Sequence, residues 1–195
     1  MKLKLYMKIS STEVLGPGKR FAIWVQGCNR HCKGCIAPDT WNIEEGVESL
    51  VDELANEIIN TPNIEGITIS GGEPFLQQEP LCELIRIVRN QKDIGVIIYT
   101  GYIYKEIASN KLASMADLII DGEYIQELND DMSLRGSSNQ NVICLTERYR
   151  NIVDDYYCIS GRKIELVYQT GEFNVIGIPN KTFTNNFIRS HDNSV

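Results

Sequence analysis

The chain has 195 residues, 43% of them hydrophobic, which is enough for one domain with its own core and a small appendage. Its formal charge of −7, without any basic run, gives nucleic acid or an anionic membrane surface no electrostatic purchase and points to small molecules or proteins as partners. No segment approaches the roughly 20 apolar residues needed to span a bilayer, and the opening MKLKLYMKIS is too short and too interrupted by lysine for a signal peptide.

The expected location is therefore cytoplasmic. In that reducing compartment six cysteines argue for metal or redox chemistry rather than disulfides.

In chain order, FAIWV at 21–25 is a continuous apolar run, as expected of a strand buried on both faces. Residues 45–60 follow with Val47, Leu50, Val51, Leu54 and Ile58 at helical spacing, predicting an amphipathic helix. GITIS at 66–70 is the next strand, and Pro80 fits the first position of a helix whose apolar face is Leu81, Leu84, Ile85 and Val88. VIIYT at 96–100 and ADLIID at 116–121 are further strands, with a weaker helix over 104–115 between them. Alternating strands and helices imply a parallel sheet with right-handed crossovers.

From 121 to 140 the chain is polar and irregular, ending in LRGSSNQ, and a short apolar run follows at 142–145. KIELVYQTGEFNVIGI at 163–178 reads as two strands about a turn near Thr170 and Gly171, a small antiparallel addition. The expected division is a core over 1–160, a hairpin extension over 161–180 and a flexible tail over 181–195, rich in Asn and Ser.

VQGCNRHCKGCIAP gathers Cys28, Cys32 and Cys35 in one loop without a fourth thiol nearby. A structural zinc site takes four protein ligands, and an electron-transfer [4Fe–4S] cluster takes four thiolates. Three thiolates would leave one iron of such a cluster open to a substrate or cofactor; another metal or redox use of the spacing stays open, including a zinc site completed by His31. Cys82, Cys144 and Cys158 have no cysteine neighbour and read as small buried hydrophobes. Trp24 reads as core, Trp41 as packing under the cysteine loop, and Arg135 as a loop-stabilising donor or the partner of a carboxylate.

Directly after GITIS comes Gly71-Gly72-Glu73-Pro74, where two glycines let the main chain approach a ligand and a carboxylate can meet an ammonium group. The plain alternative is a glycine-rich turn with Glu73 solvated. Position ties the motifs together, because ligands of parallel α/β sheets bind at the carboxyl ends of strands. The cysteine loop, GGEP, Thr100-Gly101-Tyr102 and Asp121-Gly122 each follow a predicted strand, so all four converge on one edge.

CxxxCxxC together with GGEP resembles the radical S-adenosylmethionine (AdoMet) superfamily over residues 14–145. The stretch GPGKRFAIWVQGCNRHCKGCIAPDTW, with Gly34 before the third cysteine, and the later DGEYIQEL and LRGSSNQ are similar to the anaerobic ribonucleotide reductase activating proteins; Ala37, where asparagine is usual, departs from them. The resemblance implies an α/β fold, an incomplete parallel β/α barrel with the hairpin as an addition. It implies an oxidoreductase with one [4Fe–4S] cluster on Cys28, Cys32 and Cys35, and AdoMet held by Gly34, Cys35, Ile36, Gly71, Gly72, Glu73, Pro74 and Thr100.

The implied reaction is reductive cleavage of AdoMet to a 5′-deoxyadenosyl radical, which abstracts hydrogen from a glycine of a partner glycyl-radical enzyme. A flavodoxin- or ferredoxin-like reductant would supply the electron. The rival readings are a radical AdoMet enzyme acting on a peptide or small molecule and, from another class, a noncatalytic iron–sulfur carrier or zinc module.

Overall fold

A computed structural model describes residues 1–159, 162–169 and 171–180. The tail expected over 181–195 lies outside the described residues, as does the turn residue Thr170. Seven strands, Lys2–Thr12 (β1), Arg20–Val25 (β2), Val47–Leu50 (β3), Gly66–Gly71 (β4), Gly95–Tyr99 (β5), Leu118–Asp121 (β6) and Asn141–Cys144 (β7), form one sheet in the order β3-β1-β2-β4-β5-β6-β7. The central β2, β4, β5 and β6 run parallel, whereas β1, β3 and β7 pair antiparallel. The fold is therefore α/β with a mixed sheet.

The continuous apolar runs behave as strands covered on both faces. Phe21, Ile23 and Val25 of β2 join Ile67, Ile69, Val96 and Ile98 in a core completed by the helices Val51–Asn60 (α1) and Gln78–Arg89 (α2). The short helices Tyr104–Ile107 (α3) and Lys111–Ser114 (α4) add Ile107 and Leu112 to that core.

On the opposite face, Ile97, Leu118 and Ile120 meet Tyr149 and Val153 at the start of the helix Arg150–Ile159 (α5). Arg20 sits on this face with no exposed surface. Its guanidinium donates to Thr68 Oγ1 (2.6 Å), the Tyr149 hydroxyl (2.8 Å) and the carbonyls of Pro17 (3.0 Å), Ile67 (2.7 Å) and Gly95 (3.2 Å). Every donor nitrogen of a buried cation is thus satisfied.

Glu165–Gln169 (β8) and Glu172–Ile176 (β9) pair antiparallel as a separate two-stranded ribbon. Its inner side places the fully buried Ile176 against Ala22 and Trp24, with Val167 beside them. Trp24 is therefore core.

Several expected boundaries move. The helix expected over 45–60 begins only at Val51, because 47–50 is the edge strand β3, held by backbone pairing with Lys2 to Leu5 while Val47 stays 69% exposed. Pro80 is the third residue of α2, where its missing N–H is still harmless. The helix expected over 104–115 is two single turns, interrupted where the Asn110 side chain accepts from Leu112 N–H (2.9 Å) and restarts the chain.

Candidate active site

The cysteine loop leaves β2 at Val25 and is stapled at its base. Buried Gln26 donates through Nε2 to the carbonyls of Asp39 (3.0 Å) and Asn42 (2.8 Å), while Gly27 N–H donates to Thr40 O (2.8 Å) and Cys28 N–H to Trp41 O (3.1 Å). Inside the loop Cys35 N–H closes a turn onto Cys32 O (3.0 Å), and Gly34 takes the positive φ of +75° that this turn requires.

Two of the three cysteine sulfurs meet a backbone N–H: Arg30 N–H approaches Cys28 Sγ at 3.4 Å and Ala37 N–H approaches Cys35 Sγ at 3.4 Å. The Trp41 indole N–H is buried without a hydrogen-bond partner among the described residues, near enough to Cys35 to favour its thiolate. Donors aimed at sulfur favour thiolates, the form that ligates iron. Burial pushes the free Cys32 and Cys35 thiols up, and the other cysteines' charges add to the effect.

Among the described residues no three His, Cys, Asp or Glu side chains converge on a single ion. A cluster asks for something different, since each thiolate takes its own iron and the sulfurs stand around it. The donor set fits a cluster better than a lone zinc ion. His31, whose ring packs tilted on Trp41 at 4.9 Å, is exposed and does not face the cavity that the cysteines line.

GGEP is bolted to this loop. Gly72 N–H donates to Val25 O (2.8 Å) and Glu73 N–H to Gly27 O (2.8 Å). A Cβ on Gly72 would stand 2.1 Å from the Gly27 carbonyl oxygen, and one on Gly71 would stand 2.4 Å from Val25 N. The glycines are therefore demanded first by the neighbouring backbone, a cause that the sequence reading assigned to a ligand.

Glu73 is not solvated: it has no exposed surface. Its Oε1 accepts from Phe75 N–H (3.1 Å) and Thr100 Oγ1 (2.9 Å), and its Oε2 accepts from Gly101 N–H (2.9 Å). The carboxylate thus ties the end of β4 to the end of β5 and retains acceptor capacity on Oε2.

One open cavity joins these parts; Cys28, Cys32, Cys35, Ile36, Gly71, Gly72, Glu73 and Thr100 all line it. Gly34 and Pro74 do not. Gly34 is exposed beside Gln126, and Pro74 is buried in the turn Pro74–Gln77 behind Glu73. Gly122 lines the cavity, whereas Asp121 is consumed in holding Tyr104 N–H (2.6 Å) and Asn141 Nδ2 (2.8 Å).

The walls also contain residues not named as site candidates in the sequence: Arg30, Tyr99, Tyr124, Gly136, Gln140 and Ile178. Arg30 lay in plain view between two cysteines. Its guanidinium sits 5.0 Å over the Tyr102 ring, its Nε is buried without a hydrogen-bond partner among the described residues, and its charge acts on Glu73. Gln140 accepts from Gly136 N–H (2.8 Å) and donates to Gly122 O (2.8 Å), shaping the far wall.

Elsewhere, Cys82 is buried in α2 and Cys144 packs half-buried beside Leu118, remote from the loop. The side chain of Cys158 lies outside the described residues. Arg135 pairs with Asp130 rather than with a group in the cavity.

The 4Fe-4S single cluster domain family matches residues 14–143. The anaerobic ribonucleoside-triphosphate reductase-activating protein of Enterobacteria phage T4 is 36% identical over 135 residues, covering 65% of this chain and 85% of the phage protein. The protein of the same name from Escherichia coli K12 is 33% identical over 139 residues, covering 65% of this chain and 89% of its own length. The pyruvate formate-lyase-activating enzyme of Clostridium pasteurianum is 36% identical over 94 residues, 46% of this chain and 40% of that enzyme.

Proposed function

The chain belongs to the anaerobic ribonucleoside-triphosphate reductase-activating proteins and carries their 4Fe-4S single cluster domain; from that premise we propose that it cleaves AdoMet reductively to activate a partner glycyl-radical enzyme of the reductase type. The observation carrying this reading is that three cysteines from the β2 loop, GGEP from β4 and Thr100 from β5 line one cavity.

Cys28, Cys32 and Cys35 would hold the cluster and leave one iron without a protein ligand. Once bound, the cluster supplies the electron that splits AdoMet into methionine and a 5′-deoxyadenosyl radical able to take hydrogen from a glycine. The chain's own contribution is orientation and exclusion of water. Glu73, whose Oε2 keeps acceptor capacity beside Gly101 N–H, would meet the cofactor ammonium, and Arg30, on the same wall, would offer the opposite charge to its carboxylate. Gly71, Gly72, Ile36 and Thr100 shape the surface between them.

The same reading takes the sheet as part of an incomplete β/α barrel with the β8–β9 ribbon as an addition. The four parallel strands, with α1 and α2 packed on one face and the cavity at their carboxyl ends, support it. A flavodoxin- or ferredoxin-like donor is the expected source of electrons.

The test is anaerobic reconstitution followed by a chemical reductant and AdoMet. One [4Fe–4S] cluster per chain, release of 5′-deoxyadenosine and a glycyl-radical signal on the reductase of the same genome are expected. Cys28→Ala, Cys32→Ala and Cys35→Ala should each abolish cluster binding. A cluster that survives these changes, or that never cleaves AdoMet, overturns the reading.

A further inference from the structure

The family match ends at residue 143, yet a later segment reaches the same cavity: Ile178 lines it together with the three cysteines. We propose that residues 176–179 form the substrate-facing wall of the site, with Ile178 the side chain that meets the partner's glycine-bearing backbone and Arg162 the positioning residue that clasps the wall in place. The proposal rests on the function proposed above and names a specificity determinant for it.

The wall is built in. Ile176 has no exposed surface and packs on Ala22 and Trp24, so the chain is anchored on the sheet two residues before Ile178. Gly177, at φ +98°, makes the turn between them; a Cβ there would stand 2.8 Å from Lys163 O, so this segment lies tightly against the chain just after Arg162.

Arg162 joins two walls of the cavity. Its side chain is only 4% exposed. It donates through Nη1 to Asn129 Oδ1 (2.7 Å) and, at longer range, to Pro179 O (3.4 Å), and through Nη2 to Met132 O (3.0 Å) and Arg135 O (2.7 Å). The segment it grips at Asn129 to Arg135 runs directly into Gly136, which lines the cavity itself. A planar fork satisfies these divergent carbonyls as the single ammonium of lysine cannot.

The chemistry of Ile178 assigns its side of the cavity. Like Ile36, this aliphatic side chain neither ligates iron nor pairs with the charged ends of AdoMet; unlike Ile36, it enters the cavity from beyond β9 and not from the ends of β2, β4 and β5, which carry the candidate cofactor residues. It excludes water from that side and presents an apolar surface that a glycine backbone, without a side chain of its own, can approach closely.

The experiment uses the full chain with its cluster and the reductase partner. Ile178→Arg, with Ile178→Ala as a milder change and Ile178→Val as the conservative control, is compared for iron content, calorimetric AdoMet affinity and the KM for the partner. Ile178→Arg should raise that KM at least about tenfold while the AdoMet Kd moves less than about threefold, and Ile178→Val should restore the KM to within about twofold. Arg162→Lys should raise the partner KM in the same sense and accelerate amide exchange at 176–178 at least about tenfold, a readout independent of turnover.

An AdoMet Kd that rises in step with the partner KM would make the wall part of the cofactor site. An unchanged KM in both Ile178→Arg and Ile178→Ala, or unchanged exchange in Arg162→Lys, also overturns the inference while wild-type chemistry stands. A wild-type protein that never cleaves AdoMet fails the underlying function, and the inference with it.

Discussion

Glu73 combines full burial with three accepted hydrogen bonds, and the two effects oppose one another. Burial raises its carboxyl above the ordinary 4.5, and the N–H donors, Thr100 and the nearby Arg30 charge only partly pull it back. A carboxyl with a raised folded pKa binds its proton more tightly in the folded chain than in the unfolded one. Its stabilising contribution is therefore full below the unfolded value and is lost as the pH climbs through the folded value. Apoprotein stability should fall with rising pH across that window, and Glu73→Gln should flatten this part of the profile. Gln should also cost about 1–3 kcal/mol overall, since its amide nitrogen would face an N–H that the carboxylate now accepts. Thermal midpoints of both proteins, taken at pH values on either side of 4.5, check the slope separately from the offset; parallel profiles would remove Glu73 as its source.

At the scale of elements, the site is a seam between the end of β2 and the end of β4, closed by backbone on backbone. Because a Cβ on Gly72 would stand 2.1 Å from Gly27 O, one residue from Cys28, Gly72→Ala should disturb the cysteine loop as well as the ligand surface. The expected result is a reconstituted protein with reduced iron per chain and a destabilisation of about 1–3 kcal/mol; full iron content with only AdoMet binding weakened would restore a ligand-facing role alone. The sequence carried the strands of this seam because they are buried on both faces and read as unbroken apolar runs. It did not carry β1, whose alternation breaks where its register with β2 shifts between Leu5 and Met7. Nor did it carry β3, since Val47 and Leu50 also fit the helical spacing of α1 and only edge pairing decides between the two. The motifs of the near wall were legible because iron and ammonium need particular atoms at short spacing. Tyr124, Gly136, Gln140 and Ile178 were legible only as members of DGEYIQEL, LRGSSNQ and the expected hairpin; that they line the cavity comes from tertiary packing alone.

At the scale of the whole molecule, everything assigned to cluster and cofactor lies before residue 123, and the chain then returns across the sheet to seat Ile176 against Ala22 and Trp24. A ribbon that merely covered this face of the sheet and one that also selects the partner both bury the same inner side, so folding and selection must be measured apart. Truncation after Asp154 removes Ile176 and Val167 from the cluster around Trp24 but leaves the larger core beneath α1 and α2 intact. Uncovering that apolar patch should cost about 2–4 kcal/mol, which for a chain of this size is a fall of roughly 4–16 °C in the apoprotein midpoint. The shortened protein should still fold cooperatively, with Trp24 fluorescence shifted toward that of a solvated indole. If its midpoint and fluorescence match those of the full chain, the ribbon does not cover the sheet. If it loses its fold altogether, the ribbon is structural first, and selection must be sought in the point variants of Ile178.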